Sequence, residues 1–181
     1  MAPPEITPAD LEARLGELHA ESFGWAMSCC AWDRADAEDV LQTAYLRVLT
    51  GRARFEGRSA FRTWLFGVIR HVAREHHRRL RIHRERTDRM AAEGAAAEAA
   101  VAEVPGDELE RAEERTVLLA ALDALAARQR EVLHLVFYHD LTVDEAAEVM
   151  GVSVGSARVH YDRGKKKLRA LLAPDLGARL P

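Results

Sequence analysis

Cysteine is nearly absent from the chain, and the two that occur, Cys29 and Cys30, are neighbours. Adjacent cysteines rarely bridge each other and no third exists, so a disulfide framework is excluded. Two small apolar residues in a helix is the reading that fits. No apolar run approaches the ~20 residues that a membrane span requires, and no signal peptide is visible, so no membrane contact is expected and the expected location is the cytoplasm. HExxH, P-loop and Gly-rich phosphate-cradle motifs are missing. Of the eight histidines, His76 and His77 are adjacent and splay apart, while His134 and His139 are five residues apart, off the spacing of one helix face. An enzyme is therefore not expected, nor a metal ion or other cofactor. Aromatic residues make up only 6% of the chain. Ala, Leu, Arg and Glu dominate instead, which favours an all-helical fold.

What the chain does have is charge sorted into blocks. Its net charge is −3, yet residues 1–50 carry −6, 51–90 carry +8, 91–115 carry −6, 116–150 carry −4 and 151–181 carry +5. A solvated surface mixes the signs more evenly. Two basic blocks separated by acidic ones point to two contacts with a polyanion.

The pattern along the chain predicts two small helical domains joined by a flexible linker. Thr7 caps a helix with Pro8 in its first turn, running to about Trp32. Asp33 or Asp36 caps the next, whose positions Val40, Leu41, Ala44, Tyr45, Val48 and Leu49 keep a helical period. Residues 50–59 form a loop, and Ser59 caps a long third helix with a buried stripe of Phe61, Trp64, Leu65, Val68, Ile69 and Val72. Arg70, Arg74, His77, Arg78 and Arg81 share another face. The stretch AAEGAAAEAAVAEVPGD, ending at Asp107, lacks large side chains and reads as the linker. Helices near Glu108–Ala126, Arg128–Tyr138, Val143–Met150 and Val154–Leu172 follow.

The last two of these form a helix-turn-helix. Thr142 and Glu145 have capping-box spacing, Gly151 stands where a helix end needs a left-handed residue, and Ser153 caps the next helix after a three-residue turn. Val154, Ala157, Tyr161, Gly164, Leu168 and Leu171 define an inner face. Ser156, Arg158, His160, Arg163 and Lys166 occupy the other, with side chains suited to base edges and phosphates. Two further features are open on the residues alone. Phe55, in the loop FEGRSAF, is poorly placed for a core and could stack an unpaired base beside the basic helix. Asp39, Gln42, Thr43 and Leu46 line a face opposite the buried one, where a leucine stands in place of an expected polar residue; a docking patch or a lone exposed leucine would both account for it.

Three stretches in this order, DAEDVLQTAYLRV (36–48), FEGRSAFRTWLFGVIRHVAREHHRR (55–79) and RQREVLHLVFYHDLTVDEAAEVMGVSVGSARVHYDRGKKKLR (128–169), resemble bacterial RNA polymerase sigma factors of the extracytoplasmic function (ECF) group, within the sigma-70 family. The resemblance implies region 2 over residues 1–91, a linker over 92–111 and region 4 over 112–174. It implies docking of Asp39, Gln42, Thr43 and Leu46 on the clamp helices of the largest subunit of core RNA polymerase, with a further contact to the flap region. Recognition and melting of the −10 promoter element, with capture of a flipped base, would fall to Phe55, Arg58, Phe61, Arg62, Trp64, Arg70, His71, Arg74 and Arg78. The −35 element would be read by Ser153, Ser156, Arg158, Val159, His160, Arg163 and Lys166. An anti-sigma factor is a family expectation that no residue here identifies. The chain departs from the family at His71, where Asn is frequent, at His160 and Val159, where Arg and Ser are common, and at Ala126-Ala127, where Leu-Pro is frequent. The first three leave the promoter sequence open. The rival reading is a conventional transcription regulator with an N-terminal sensing or dimerisation domain, which would bind duplex DNA without polymerase. Whether the two domains stand apart or fold together in the free protein is not written in the sequence; acidic segments against basic faces would favour a compact form.

Overall fold

A computed structural model describes residues 7–88, 117–118 and 120–177; the expected linker at 92–111 lies outside the described residues. Among the described residues there are helices and turns and no strands. Four helices build the N-terminal unit: α1 (Pro8–Glu17), α2 (His19–Cys29), α3 (Arg34–Leu49) and α4 (Phe61–Asp88). The C-terminal unit has helical residues at 117–118 and 120–123, then α5 (Ala127–Phe137), α6 (Val143–Met150) and α7 (Val154–Gly177).

Capping chemistry explains most boundaries. The Thr7 hydroxyl accepts from the Asp10 amide and Pro8 occupies the first turn of α1. The Asp33 carboxylate caps α3 by accepting from the Asp36 amide at 2.9 Å, leaving Asp36 inside the first turn. Three expectations change. The first helix does not run through to Trp32: it breaks at Leu18 into α1 and α2, and both Leu15 and Trp25 are buried as a result. Cys29 ends α2 but Cys30 lies beyond it, as the buried residue that closes the helix. Ser59 does not cap α4, because the chain stays irregular through Ala60, whose carbonyl accepts the Trp64 amide at 3.1 Å.

The core begins in the N-terminal unit with Leu15, Trp25, Val40, Leu41, Ala44, Val48, Leu65, Ile69 and Val72. It continues without interruption through Val132, Leu135, Leu141, Ala146, Val149 and Met150 of the C-terminal unit. The two units therefore fold together, through α2 and α4 on one side and α5 and α6 on the other. At the helix ends the apolar pattern outruns its partners: Leu49, Val154 and Leu171 are exposed although their spacing places them on inner faces.

One close approach seats the last helix. A Cβ built on Gly164 would meet the Gln129 Cβ at 3.0 Å and the Leu133 Cδ1 at 3.2 Å, so α7 packs on α5 at a separation where any side chain would force its neighbours to give by a few tenths of an ångström. Gly164→Ala is expected to destabilise the protein by about 1–3 kcal/mol through overpacking. Gly155→Ala, earlier on the same helix, meets nothing within 4 Å and should be neutral or slightly stabilising. Urea midpoints of the two variants check the contrast.

Candidate nucleic-acid interface

The helix-turn-helix is built as its residues dictate. The Glu145 amide donates to the Thr142 hydroxyl at 3.2 Å, and the Thr142 amide donates to the Glu145 carboxylate at 2.8 Å. That backbone bond, helped by the Thr142 hydroxyl, holds the Glu145 carboxyl below its ordinary range. Gly151 closes α6 in the left-handed region, at φ 61° and ψ 43°. The Ser153 hydroxyl accepts the Ser156 amide at 3.2 Å and lies 2.9 Å from the Ser156 hydroxyl.

On α7 the side chains of Ser156, Arg158, Val159, Arg163 and Lys166 all reach solvent, while His160 is half-buried. Val159 is 45% exposed, an apolar group on an otherwise polar face. Arg158 donates to Asp144 of α6 at 3.3 Å, which poises its guanidinium across the turn. The inner face is carried by Ala157 and Gly164, both buried, and by the half-buried Tyr161 and Leu168.

In the N-terminal unit, Phe55, Phe61 and Trp64 form a triangle with each pair of ring centroids 5.3 Å apart. The Arg14 guanidinium lies 5.5 Å from the Phe61 ring centroid. Phe55 is thus half-buried against other rings, not free at a loop tip as the polarity of its neighbours suggests. Downstream, His71, Arg74 and Arg78 are exposed along α4. His71 pairs with Glu75 at 2.9 Å, and Glu75 also accepts from Arg47, the bond that chiefly holds its carboxyl below the usual range. Arg58 pairs with Glu56 at 2.9 Å and Arg62 with Glu21 at 3.1 Å. Away from this surface, α3 presents Asp39 and Gln42 exposed, Thr43 half-buried and Leu46 55% exposed.

Family models account for both units. The Sigma-70 region 2 model matches residues 22–82, and the Sigma-70, region 4 model matches residues 115–168. The ECF RNA polymerase sigma factor SigC of Mycobacterium tuberculosis is 35% identical over 152 residues, covering 83% of this chain and 78% of that protein. SigX of Bacillus subtilis, another ECF sigma factor, is 33% identical over 137 residues, 76% of this chain and 71% of that protein. The chain belongs to the ECF sigma factors. Such a factor directs promoter-specific transcription initiation by RNA polymerase. Among solved structures, the sigma factor RpoE from Bartonella quintana, crystallised with the anti-sigma factor NepR, shares the fold with a TM-score of 0.68 at 22% identity, covering 91% of this chain and 97% of that one.

In this sigma factor the two regions meet at a seam that the sequence did not announce. Trp25, 1% exposed, stacks on Phe66 at 6.0 Å and on His134 of α5 at 5.7 Å. His139 packs edge-on against Phe66 at 4.7 Å and against His134 at 5.0 Å. The two histidines meet because α5 ends at Phe137 and the chain turns back through Asp140, at φ 51°. Trp32, also left-handed at φ 67°, reaches over to His134 at 5.9 Å. Arg70 does not share the solvent face of Arg74 and Arg78: it is 8% exposed and forms a two-pronged ion pair with Glu131 of α5. Glu131 also accepts from Arg128 at 3.1 Å. Burial raises the Glu131 carboxyl above its usual range despite these partners.

The seam mixes favourable and unfavourable terms. Burying an aromatic side chain of this size contributes roughly 2–3 kcal/mol. Against this, the Nε2 atoms of His134 and His139 are buried with no hydrogen-bond partner among the described residues. Each such atom costs about 1–3 kcal/mol. A cleft of about 390 Å³ also remains between the regions, lined in part by Arg70, Arg74, His77 and Arg128. The contact is specific in its geometry but weakened by its polar atoms.

Burial holds His134 down at about 4 and His139 down at about 3, the latter helped by His134 and Arg62. Above their ordinary value, near 6.5, both rings are neutral in every state and add no pH dependence. As pH falls through 6.5 towards 4, the opened or unfolded chain binds protons that the closed seam refuses, so stability falls. The raised Glu131 acts in the opposite sense, since the closed seam favours its protonated form. The urea midpoint is expected to drop progressively from pH 6.5 to 4.5, and His139→Phe should flatten that slope.

Proposed function

We propose that this sigma factor holds promoter DNA with two grips of different chemistry. Region 4 reads the −35 element as a duplex, with α7 in the major groove and Arg158, Val159, His160, Arg163 and Lys166 facing base edges and phosphates, while Ser153 and Ser156 fix the start of the helix. Region 2 recognises the −10 element and aids its melting. The aromatic triangle of Phe55, Phe61 and Trp64 beside exposed arginines is the observation that supports this reading most directly. A base leaving the duplex needs a flat apolar surface to stack on and cations for its phosphates. Arg58, Arg62, Arg74 and Arg78 supply the latter, with the exposed His71 ring beside them, whereas Arg70, expected with them, is turned away from solvent and paired with Glu131. Region 2 occupies residues 1–91 and region 4 residues 112–174, with 92–111 as the linker in this reading.

Core RNA polymerase binds the outer face of α3, where Asp39, Gln42 and Thr43 surround the exposed Leu46; this would be the contact with the clamp helices of the largest subunit, and region 4 would contact the flap. An acid, an amide and an exposed leucine in one patch fit a protein partner better than a nucleic acid. An anti-sigma factor is proposed as a third partner, by analogy with the RpoE–NepR pair. The protein works by binding rather than by catalysis, and does so in the cytoplasm with the polymerase. Among the described residues no helix is long and apolar enough to cross a membrane.

Transcription by purified core polymerase on a promoter library, with and without the protein, tests the reading and identifies the promoter sequence. Arg158→Ala is expected to weaken promoter use by about 1–3 kcal/mol and relax one position of the −35 preference. Phe55→Ala should leave binding to a −35 duplex unchanged and reduce open-complex formation, read by permanganate footprinting. Normal melting by that variant would remove the base-capture role.

A further inference from the structure

The cleft beside the seam collects more positive charge than its lining balances. Helix α4 supplies Arg70 and Arg74, α5 supplies Arg128 and Arg130, and the end of α2 contributes Ser28 and Cys29. Glu131 is the one carboxylate in the lining, so four guanidinium groups leave an excess of three positive charges. Trp25, Ala31 and Ala73 make up the apolar part of the walls. A cleft of one sign with apolar walls concentrates its field and gathers counter-ions. Its volume, about 390 Å³, falls within the ~300–1,000 Å³ of small-molecule sites.

The four arginines are not equally engaged. Arg70 gives both prongs to Glu131, which also accepts from Arg128 at 3.1 Å, so these two are held in place. Arg130 pairs with Asp123 at 2.6 Å, but that carboxylate is 62% exposed, and such a pair is weak in water. Arg74 acts on Glu131 at a distance and forms no ion pair among the described residues. A guanidinium held open beside others of like charge is unfavourable until an anion sits among them. The start of α5 strengthens the same field. Ala126 caps that helix without a side-chain bond, no acid stands in its first turn, and Ala127 and Arg128 line the cleft. The positive end of the helix dipole is therefore left uncompensated.

We propose that the cleft between α2, α4 and α5 is a binding site for a small diphosphate, gripped by Arg74 of α4 and by Arg128 and Arg130 of α5. Arg70 and Glu131 fix the frame in which these three stand. One phosphate group carries a charge of about −1.5 to −2, less than the excess in the lining. A diphosphate carries more, and presents oxygens to the arginines of both helices at once. Guanidinium groups hold such oxygens by parallel pairs of hydrogen bonds. Inorganic pyrophosphate and the diphosphate of a nucleotide share this chemistry. The site goes beyond the promoter-binding reading, since Arg128, Arg130 and Glu131 belong to neither DNA grip.

Equilibrium dialysis of the full chain against radiolabelled inorganic pyrophosphate, without divalent cations, tests the site. The wild type should bind one equivalent and saturate. Arg74→Ala and Arg130→Ala should each weaken binding by about tenfold or more. Arg52→Ala, which removes an exposed cation from the loop before α4, should leave binding unchanged. Far-ultraviolet helicity of the variants should match the wild type; if Arg130→Ala loses helicity, Arg130→Gln takes its place under the same criterion. Orthophosphate should bind clearly more weakly than pyrophosphate. No retention of pyrophosphate, several equivalents without saturation, an equal loss with Arg52→Ala, or orthophosphate held as tightly as pyrophosphate overturns the proposal. Competition by a nucleoside diphosphate then separates the two sources. Tighter binding than pyrophosphate supports a nucleotide as the ligand, and equal or weaker binding supports the diphosphate alone. Neither DNA nor polymerase is present, so failure of the two-grip reading would leave these results untouched.

Discussion

The position of Trp25 governs the arrangement of everything around it. Its indole N–H donates to the Phe66 carbonyl at 3.0 Å, which locks α2 to α4 within region 2. Its ring then forms the floor on which His134 of region 4 rests. One side chain thus completes the core of the first unit and founds the contact with the second. The apolar cluster runs through both units as a result, and Arg70, one turn beyond Phe66 on α4, is carried to Glu131 instead of to solvent.

Such a seam resembles a domain core in its apolar residues and a transient interface in its polar ones. Replacing His134, His139, Arg70 and Glu131 by hydrocarbon would be expected to tighten it, because buried ionic and unpaired polar groups are weak contributors to stability. Their value is directional: an ion pair fixes the register in which the two units meet.

Much of this was legible in the sequence. The capping box of Thr142 and Glu145, the turn at Gly151 and the cap at Ser153 each stand where local chemistry places them, since all depend on residues three or four positions apart. The buried positions of α3 and α4 followed from periodicity for the same reason. What periodicity could not show was contact between residues far apart in the chain. Arg70 shares the spacing of Arg74 and Arg78, and only the approach of α5 distinguishes it. His134 and His139 are off one helical face, yet a helix end between them brings the rings together. Glu131 and Trp25 carried no signal at all, being an ordinary acid and an ordinary apolar residue until their neighbours are known. Phe55 was misjudged in a related way, its polar flanks hiding the rings of Phe61 and Trp64 that it meets in space.

The absence of a side chain at Gly164 has a mechanical meaning. Because α7 lies against Gln129 and Leu133 more closely than a β-carbon would comfortably allow, a tilt of the helix bearing Arg158 presses on α5, which bears Glu131 and His134. The exposed basic face of α7 and the seam therefore belong to one piece, so any strain applied at His134 or Glu131 is felt in the tilt of the helix that carries Arg158.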